Sequence, residues 1–286
     1  MKQGTLYIVA TPIGNLEDIT LRAIRVLKEV GLIAAEDTRR TKILLDAPGI
    51  DTPLTSLHDH NELKKSESLI SRLREGTDIA YVSDAGTPGI SDPGYLFVNH
   101  AIAQSITVVP VPGPVAAVAA LNVSGLPMDS FVFFGFLPSR PGKRRQFLES
   151  VREEPKTMVF YESPNRLVSA LEDIRGILGE RQIAVSRELT KLYEETLRGT
   201  ANDIIESFRG KRVKGEITIV VSGAAAERAS VSPEAIKARF REARTDSTFS
   251  TRDIINTLSE EMNLPRKEIY RHVLAFIEEE SHNESS

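Results

Sequence analysis

Two aspartates in a loop rich in glycine and proline are the first residues of this sequence whose types and spacing suggest chemistry. Asp84 and Asp92 lie in SDAGTPGISDPG, residues 83–94, which follows a strand-like run at residues 78–82 and contains no lysine or arginine. Glycine lets the backbone approach a ligand closely, and proline fixes a loop before the ligand binds. Carboxylates without basic neighbours favour a neutral or cationic ligand that offers hydroxyl or amine donors. The alternative is that both aspartates only form Asx turns or helix caps.

Two further loops share this chemistry, and each also follows a predicted strand. TPIGN at residues 11–15 follows the strand at 5–10, and PVPGPVAA at residues 110–117 ends the strand ITVVPV. No loop of the three has the lysine and Ser/Thr of a P-loop or the G-x-G-x-x-G of a dinucleotide-binding fold, which argues against nucleotide phosphate as a ligand. Ligands of open α/β sheets bind at the carboxyl ends of the strands, so the three loops predict one site there.

Alternating strands and helices must position these loops. In the first half, strands separated by helices predict a mostly parallel sheet, with one helix over LEDITLRAIRVLKEV capped by Asn15. After the linker LPMDS at 126–130, five strand-like runs with both short and long connections predict a mixed sheet. We therefore expect two α/β domains, at residues 1–125 and 126–225.

The C-terminal region has a different pattern. Helix starts at Ser232–Pro233, at Ser250 with Asp253, and at Pro265 predict three short amphipathic helices. We expect a small helix-turn-helix-like unit at residues 230–280 and a disordered tail at 281–286.

The composition excludes several classes of protein. The chain of 286 residues has no cysteine, which rules out disulfides, zinc–thiolate sites and iron–sulfur clusters and fits a cytoplasmic location. No apolar run approaches the ~20 residues of a membrane span, and we expect neither a signal peptide nor membrane association. The net charge of −4 argues against non-specific coating of nucleic acid. The run His58-Asp59-His60 lacks further ligands at a recognisable spacing, so no metal site is predicted.

Several ordered strings along the chain resemble a known family. They are VATPIGNLEDITLRA, AEDTRRTKILL, YVSDAGTPGISDPG, VPGPVAAVAAL, FFGFLP, FYESPNRL, SRELTKLYEE and GEITIVVSG. Over about residues 4–223 the chain resembles the bacterial small-subunit ribosomal RNA cytidine 2′-O-methyltransferases of the tetrapyrrole-methylase superfamily. The final helical unit resembles that family's C-terminal extension. The resemblance implies a homodimer and a cleft for S-adenosylmethionine between two α/β domains. It also implies methylation of a cytidine ribose 2′-hydroxyl in the decoding region of 16S rRNA.

The resemblance further implies which residues contact the methyl donor. The expected residues lie at the tip of the first strand, in the loop after 78–82, after the PGP turn, and on the adenosine side in the second domain. They are Thr11, Pro12, Asp84, Gly86, Thr87, Gly89, Ser91, Val115, Ala116, Glu162 and Ser163. A sulfonium, an amine and ribose hydroxyls suit a pocket that bears carboxylates and no lysine.

A ribose hydroxyl must lose its proton during or after attack on the methyl group, and a placed base accelerates such a step. Glu36 and Asp37, after the second strand, are the predicted catalytic residues, with His58 as a third candidate. The alternative is that Glu36 and Asp37 only cap a helix or pair with Arg39 and Arg40. Methylation at carbon-5 of a pyrimidine normally uses a cysteine nucleophile, which this chain lacks.

Two basic runs are predicted to contact RNA phosphates. The first contains Arg39, Arg40 and Lys42, and the second contains Arg140, Lys143, Arg144 and Arg145. Each run is alternatively a solvated helix start. The last helix adds Arg266, Lys267 and Arg271. Separated patches favour a structured partner, either small-subunit rRNA or the assembled 30S subunit.

Two other functions compete with this interpretation. The chain is alternatively a related methyltransferase acting on a tetrapyrrole or a protein side chain, or a non-catalytic regulator that binds nucleic acid. The basic run at 139–146 and the appended helices favour an RNA substrate, because a small porphyrinoid needs neither.

Overall fold

Short runs of aliphatic residues form the first sheet of the computed structural model, which describes residues 3–224, 232–244, 250–262, 264 and 266–283. All neighbouring strands in it are parallel, and their order is β3-β2-β4-β1-β5. The strands are β1 (Leu6–Val9), β2 (Leu32–Ala35), β3 (Leu54–Ser56), β4 (Ile79–Val82) and β5 (Val108–Val111). Every residue of β2 and β4 is buried, as expected of central strands covered on both faces.

Helices cover the two faces of this sheet. They are α1 (Leu21–Glu29), α2 (Thr38–Asp46), α3 (Glu62–Arg74) and α4 (Tyr95–Ala103). Successive side chains of a strand point to opposite faces. Tyr81 accordingly packs with α3 and α4, whereas Ala80 and Val82 pack with α1 and α2.

The predicted start of the first helix is wrong. Asn15 caps only a 3₁₀ turn at Leu16–Asp18, and α1 begins after Thr20, whose hydroxyl oxygen accepts from the Ala23 N–H at 3.0 Å. Both residues are good N-caps, and the apolar spacing continues across the turn between them. The sequence interpretation also omitted α2 and β3.

The second sheet is mixed, as predicted, with the order β6-β7-β10-β8-β9. Only β6 and β7 run parallel, and the other neighbours are antiparallel. Its strands are β6 (Phe131–Phe136), β7 (Thr157–Glu162), β8 (Gln182–Arg187), β9 (Glu195–Thr200) and β10 (Ile217–Val221).

One helix from the first half of the chain covers a face of this second sheet. Helix α5 (Ala116–Ser124) follows β5, yet it packs against Val159, Ala184 and Val220. The opposite face carries α6 (Pro141–Ser150), α7 (Leu167–Leu178) and α8 (Ala201–Phe208). The PGP turn before α5 is therefore held between the two sheets.

Residues 225–286 form a separate unit with its own apolar core. Its helices are α9 (Pro233–Arg244), α10 (Thr251–Glu261) and α11 (Arg266–Asn283). Ser250 and Asp253 cap α10 reciprocally, as predicted. Residues 281–283 continue α11, so helix replaces the first part of the predicted tail. Pro265 and residues 284–286 lie outside the described residues. In the described part of the chain, no helix is long and apolar enough to cross a membrane.

Candidate functional site

A cavity of about 310 Å³ opens between the two sheets. One wall comes from the loops after β1, β4 and β5, and the facing wall comes from the end of β7, the β8–β9 turn and the start of β10. These are the glycine- and proline-rich loops that the sequence predicted to share one edge of the parallel sheet. The structure brings them together at one cavity.

Backbone hydrogen bonds fix the three loops to one another. The Thr11 N–H donates to the Gly86 carbonyl at 2.8 Å, and the Gly86 N–H donates to the Thr11 carbonyl at 3.0 Å. The Thr87 hydroxyl donates to the Pro114 carbonyl at 3.1 Å. Gly86 has φ of +77°, a conformation that favours glycine, and a Cβ there would lie 3.3 Å from Ile13 Cγ2. The loop can therefore follow the cavity wall closely.

The residues predicted to bind the donor separate into two groups. Seven of them line the cavity, namely Gly86, Thr87, Ser91, Val115, Ala116, Glu162 and Ser163. Four others do not lie on its wall, namely Thr11, Pro12, Asp84 and Gly89. Gly89 instead borders a second cavity of about 200 Å³ together with Tyr81 and Tyr95.

Asp84 is not among the residues that line the cavity, and its carboxylate has partners elsewhere. Its Oδ1 accepts from the Asp37 backbone N–H at 2.9 Å, and its Oδ2 lies 3.2 Å from Arg40 Nη1. The Asp84 N–H in turn donates to Glu36 Oε2 at 3.2 Å. Asp84 thus joins the loop after β4 to the loop after β2.

Asp92 is the carboxylate of this loop that does line the cavity. Partial burial and then the charge of Glu36 raise the pKa of Asp92 to about 6, with smaller effects from Asp84 and Asp59. Burial also raises the pKa of Glu36, which the charges of Asp84 and Asp59 reinforce. The sequence interpretation noted Asp92 but omitted it from the pocket, although its place in the quoted loop was a usable signal.

Asp37 has the environment of a helix cap. Its Oδ1 accepts from the Arg39 backbone N–H at 2.9 Å, and its Oδ2 lies 2.8 Å from Arg39 Nη2. These bonds to Arg39 lower the pKa of Asp37 to about 2. A carboxylate with such a low pKa is a weak base, so the geometry favours the alternative of capping and pairing for Asp37. His58 is tied to Asn61, whose Nδ2 lies 3.1 Å from His58 Nε2. Within the described ranges, no three His, Cys, Asp or Glu side chains cluster as metal ligands.

Glu162 ends β7 and lies on the cavity wall, and its carboxylate is fully buried. Its Oε1 accepts from the Ser163 N–H at 2.6 Å and lies 2.5 Å from Arg166 Nη2. Its Oε2 is buried and has no hydrogen-bond partner among the described residues. A buried polar atom without a partner is destabilising, and this oxygen is not accessible from the cavity in the structure.

Residues of the facing wall were missed by sequence reasoning. Leu189, Gly215 and Glu216 line the cavity. Lys191 Nζ bridges Glu188 Oε1 at 3.1 Å and Glu216 Oε2 at 3.0 Å, which ties the β8–β9 turn to the start of β10. The strings SRELTKLYEE and GEITIVVSG contain these residues, but no local pattern shows that the two strings meet.

The basic residues predicted to contact RNA have different environments. Arg39, Arg40 and Lys42 are exposed, and each pairs with a carboxylate, at 2.8, 3.2 and 2.8 Å respectively. Arg140, Lys143 and Arg145 are exposed at the start of α6. On α11, Arg266, Lys267 and Arg271 are exposed.

The prediction for Arg144 is wrong. Its side chain is 3% exposed, and its Nη2 and Nε lie 2.6 and 2.7 Å from Asp173 Oδ2. Its Nη2 also donates to the Ser169 carbonyl at 3.2 Å. Arg144 is therefore a buried link between α6 and α7 and cannot reach RNA. The pattern KRR did not reveal this, because the partner carboxylate lies on a different helix.

The fold and the cavity between its sheets define a class of methyltransferase. Residues 5–205 match the family Tetrapyrrole (Corrin/Porphyrin) Methylases, and the chain belongs to this family. Cobalt precorrin-4 methyltransferase has the same fold, with a TM-score of 0.59 and 15% identity over 76% of this chain and 94% of that one. Uroporphyrin-III C-methyltransferase from Thermus thermophilus, solved with S-adenyl homocysteine, gives a TM-score of 0.54 and 18% identity over 76% and 97%.

Closer relatives share a single name. The chain is 47% identical over 274 residues to the Ribosomal RNA small subunit methyltransferase I of Halalkalibacterium halodurans, with 94% of each chain covered. It is 48% identical to the protein of the same name from Escherichia coli O157:H7, over 82% of this chain and 83% of that one. The family resemblance and the fold class predicted from the sequence are confirmed.

Proposed function

We propose that the protein transfers a methyl group from S-adenosylmethionine to the ribose 2′-hydroxyl of a cytidine in the decoding region of small-subunit rRNA. The observation that carries this proposal is the cavity between the two sheets, which the glycine- and proline-rich loops after β1, β4 and β5 line. The names of relatives that are 47 and 48% identical support rRNA as the acceptor.

The residues of the cavity fit the methyl donor. S-adenosylmethionine supplies a methyl group on a positively charged sulfur, together with an amine and ribose hydroxyls. We propose that donor binding exposes the unpartnered Glu162 Oε2 to one of those hydroxyl or amine donors. The carboxylate of Asp92 contributes negative charge on the facing wall. The tight turn at Gly86 leaves space where a side chain would contact Ile13. Among the residues that the structure describes, no lysine or arginine lines this cavity.

Alignment of nucleophile, methyl group and sulfur accounts for much of the rate of an in-line displacement, up to roughly 7–11 kcal/mol. The paired loops after β1, β4 and β5 provide a fixed wall for such alignment, because backbone hydrogen bonds and the Thr87–Pro114 contact hold them together. Little reorganisation of this wall is then needed when the substrates bind.

Asp92 is the group that we propose to receive the proton of the ribose hydroxyl. It lies on the cavity wall, and with a pKa of about 6 it is ionised at neutral pH yet basic enough to accept a proton. Glu36, one of the two catalytic residues predicted from the sequence, does not line the cavity and accepts from the Asp84 N–H. Its charge raises the pKa of Asp92, so Glu36 would act through Asp92.

A homodimer, a cytoplasmic location and a division of residues 1–224 into two α/β domains near residue 126 belong to the same proposal. The family resemblance supports the dimer, and the absence of cysteine is compatible with a cytoplasmic protein. The two separate sheets, joined after α5, support the domain boundary.

Labelled S-adenosylmethionine tests the proposal directly. The full chain is incubated with 30S subunits, and separately with naked 16S rRNA, from cells that lack this methylation. Label in the ribose of one cytidine is the expected result. Comparison of the methylation rates of 30S subunits and naked 16S rRNA shows whether the enzyme requires the assembled subunit. Label only in a porphyrinoid would support the tetrapyrrole alternative, and donor binding without any transfer would support a regulatory role.

A further inference from the structure

The loop between α8 and β10, residues 209–216, carries four cations, of which Arg209 pairs with Glu206 on α8. Lys211, Arg212 and Lys214 are exposed, and within the described residues their side chains form no hydrogen bond or ion pair. The next two residues, Gly215 and Glu216, line the cavity itself. We call this segment the α8–β10 loop. It places unpaired positive charge at the edge of the proposed reaction site.

Packing and hydrogen bonds fix the position of the α8–β10 loop. The Lys211 N–H donates to the Phe208 carbonyl at 3.0 Å, and Val213 packs against the apolar core beneath the second sheet. Because Val213 is directed inward, its neighbours Arg212 and Lys214 are left on the solvent side. At the other end, the Glu216 N–H donates to Glu188 Oε1 at 3.2 Å.

The other cations near the cavity are less available. Arg40 pairs with Asp84 and Arg39 pairs with Asp37, so contact with a phosphate would have to compete with a carboxylate. Arg140 and Lys143 are exposed. Arg140 is as far along the chain from its nearest cavity residue, Phe136, as Lys211 is from Gly215, and Lys143 is farther. Within the described ranges, Lys211, Arg212 and Lys214 have no such competitor, and Lys214 directly precedes the wall residue Gly215.

We propose that the α8–β10 loop binds phosphate groups of the RNA substrate next to the methylated nucleotide. This inference rests on the proposed function, because it assigns a surface to the RNA acceptor. Phosphate contacts from lysine and arginine position a nucleic acid without reading its sequence. With a net charge of −4 on the chain, a local cluster of unpaired cations is the part of the surface that would attract RNA.

The test compares two triple variants of the full chain with the same change in charge. K211Q/R212Q/K214Q neutralises the loop, and R22Q/K28Q/K64Q neutralises exposed cations on α1 and α3 that do not line the cavity. We measure KM for 30S subunits, the salt dependence of RNA binding, and the affinity for S-adenosylhomocysteine. The loop variant is expected to raise KM at least about tenfold and to lower the salt slope by about 2 to 3, as three lost phosphate contacts require.

The outcomes separate this inference from the proposed function. Unchanged KM and salt slope in the loop variant would overturn the inference while wild-type methylation of 30S subunits still stands. An equal effect in the α1/α3 variant would also overturn it, because overall charge would then explain the change. A loss of S-adenosylhomocysteine affinity in K211Q/R212Q/K214Q that K211R/R212K/K214R does not restore would show a structural role instead. No methylation of 30S subunits by the wild type would refute the proposed function itself.

Discussion

Replacing Glu162 with glutamine tests whether its unpartnered oxygen binds the methyl donor. In the structure, Oε1 is occupied by the Ser163 N–H at 2.6 Å and by Arg166 at 2.5 Å, whereas Oε2 has no partner among the described residues. Glutamine keeps one carbonyl oxygen for the Ser163 N–H. It replaces the other oxygen with an NH₂ group, which cannot accept a hydrogen bond from a ligand hydroxyl or amine.

The expected magnitude follows from the charge of the lost acceptor. A hydrogen bond to a charged group contributes about 1.5–3 kcal/mol, and every 1.4 kcal/mol corresponds to about a tenfold change in affinity. We therefore expect E162Q to raise the Kd for S-adenosylhomocysteine about 10- to 150-fold. Isothermal titration calorimetry on the full chain measures this change.

A matched variant separates the ligand contact from the ion pair. R166Q removes the partner of Oε1 but leaves Oε2 as a carboxylate oxygen. We expect R166Q to weaken donor binding less than E162Q does, although both variants lose the same ion pair. Thermal unfolding of both proteins checks that each is folded at the assay temperature. Wild-type affinity in E162Q, or equal losses in the two variants, would refute the assignment of Glu162 as the ligand acceptor.

Three further predictions follow from the structure. D92N is expected to lower kcat about 10²–10⁴-fold. Because Asp92 must be ionised to accept the proton, the wild-type rate should rise with pH through about 6, and the D92N rate should not. A D92N pH profile like that of the wild type would contradict this role. D84N is expected to lower the Tm, because Asp84 joins two loops. Calorimetry should still detect donor binding by this variant. Abolished binding at an unchanged Tm would instead place Asp84 in the pocket. R144M removes the buried partner of the largely buried Asp173, which keeps only the exposed Arg145 at 4.0 Å, and is expected to destabilise the protein by about 1–3 kcal/mol. We expect recovery in R144M/D173L and no change in KM for RNA at a permissive temperature. Equal Tm values for R144M and the wild type would contradict this prediction.

Much of the fold could be predicted from the sequence because its signals are local. Alternation of apolar runs with amphipathic segments in the first half of the chain predicted the parallel sheet. The strand-like runs after residue 130, with both short and long connections, predicted the mixed sheet. The prediction failed where a local signal was ambiguous. Asn15 and Thr20 are both good caps, and α2 (Thr38–Asp46) begins with polar residues directly after a strand, without an apolar stripe to mark it.

The site was predictable only where local sequence and the topology of a parallel sheet determine the position of a residue. The loops around Gly86 and Val115 follow strands of one parallel sheet, so their convergence at one edge follows from topology. The burial of Arg144 and the position of Asp84 depend on partners elsewhere in the chain, Asp173 on α7 and Arg40 on α2. Pairing of residues that lie far apart in sequence cannot be inferred from their types alone.

The carboxylates beside the cavity couple donor charge to proton transfer. Repulsion from Glu36 helps to raise the pKa of Asp92 to about 6, and a nearby sulfonium cation would lower it. Methyl transfer removes that cation, so under the proposed function Asp92 becomes more basic as the ribose hydroxyl loses its proton. The same coupling predicts that ionised Asp92 favours the binding of S-adenosylmethionine over that of S-adenosylhomocysteine, whose sulfur is uncharged. The ratio of the two affinities should therefore increase as pH rises through about 6 in the wild type but not in D92N, and a ratio independent of pH would exclude this coupling.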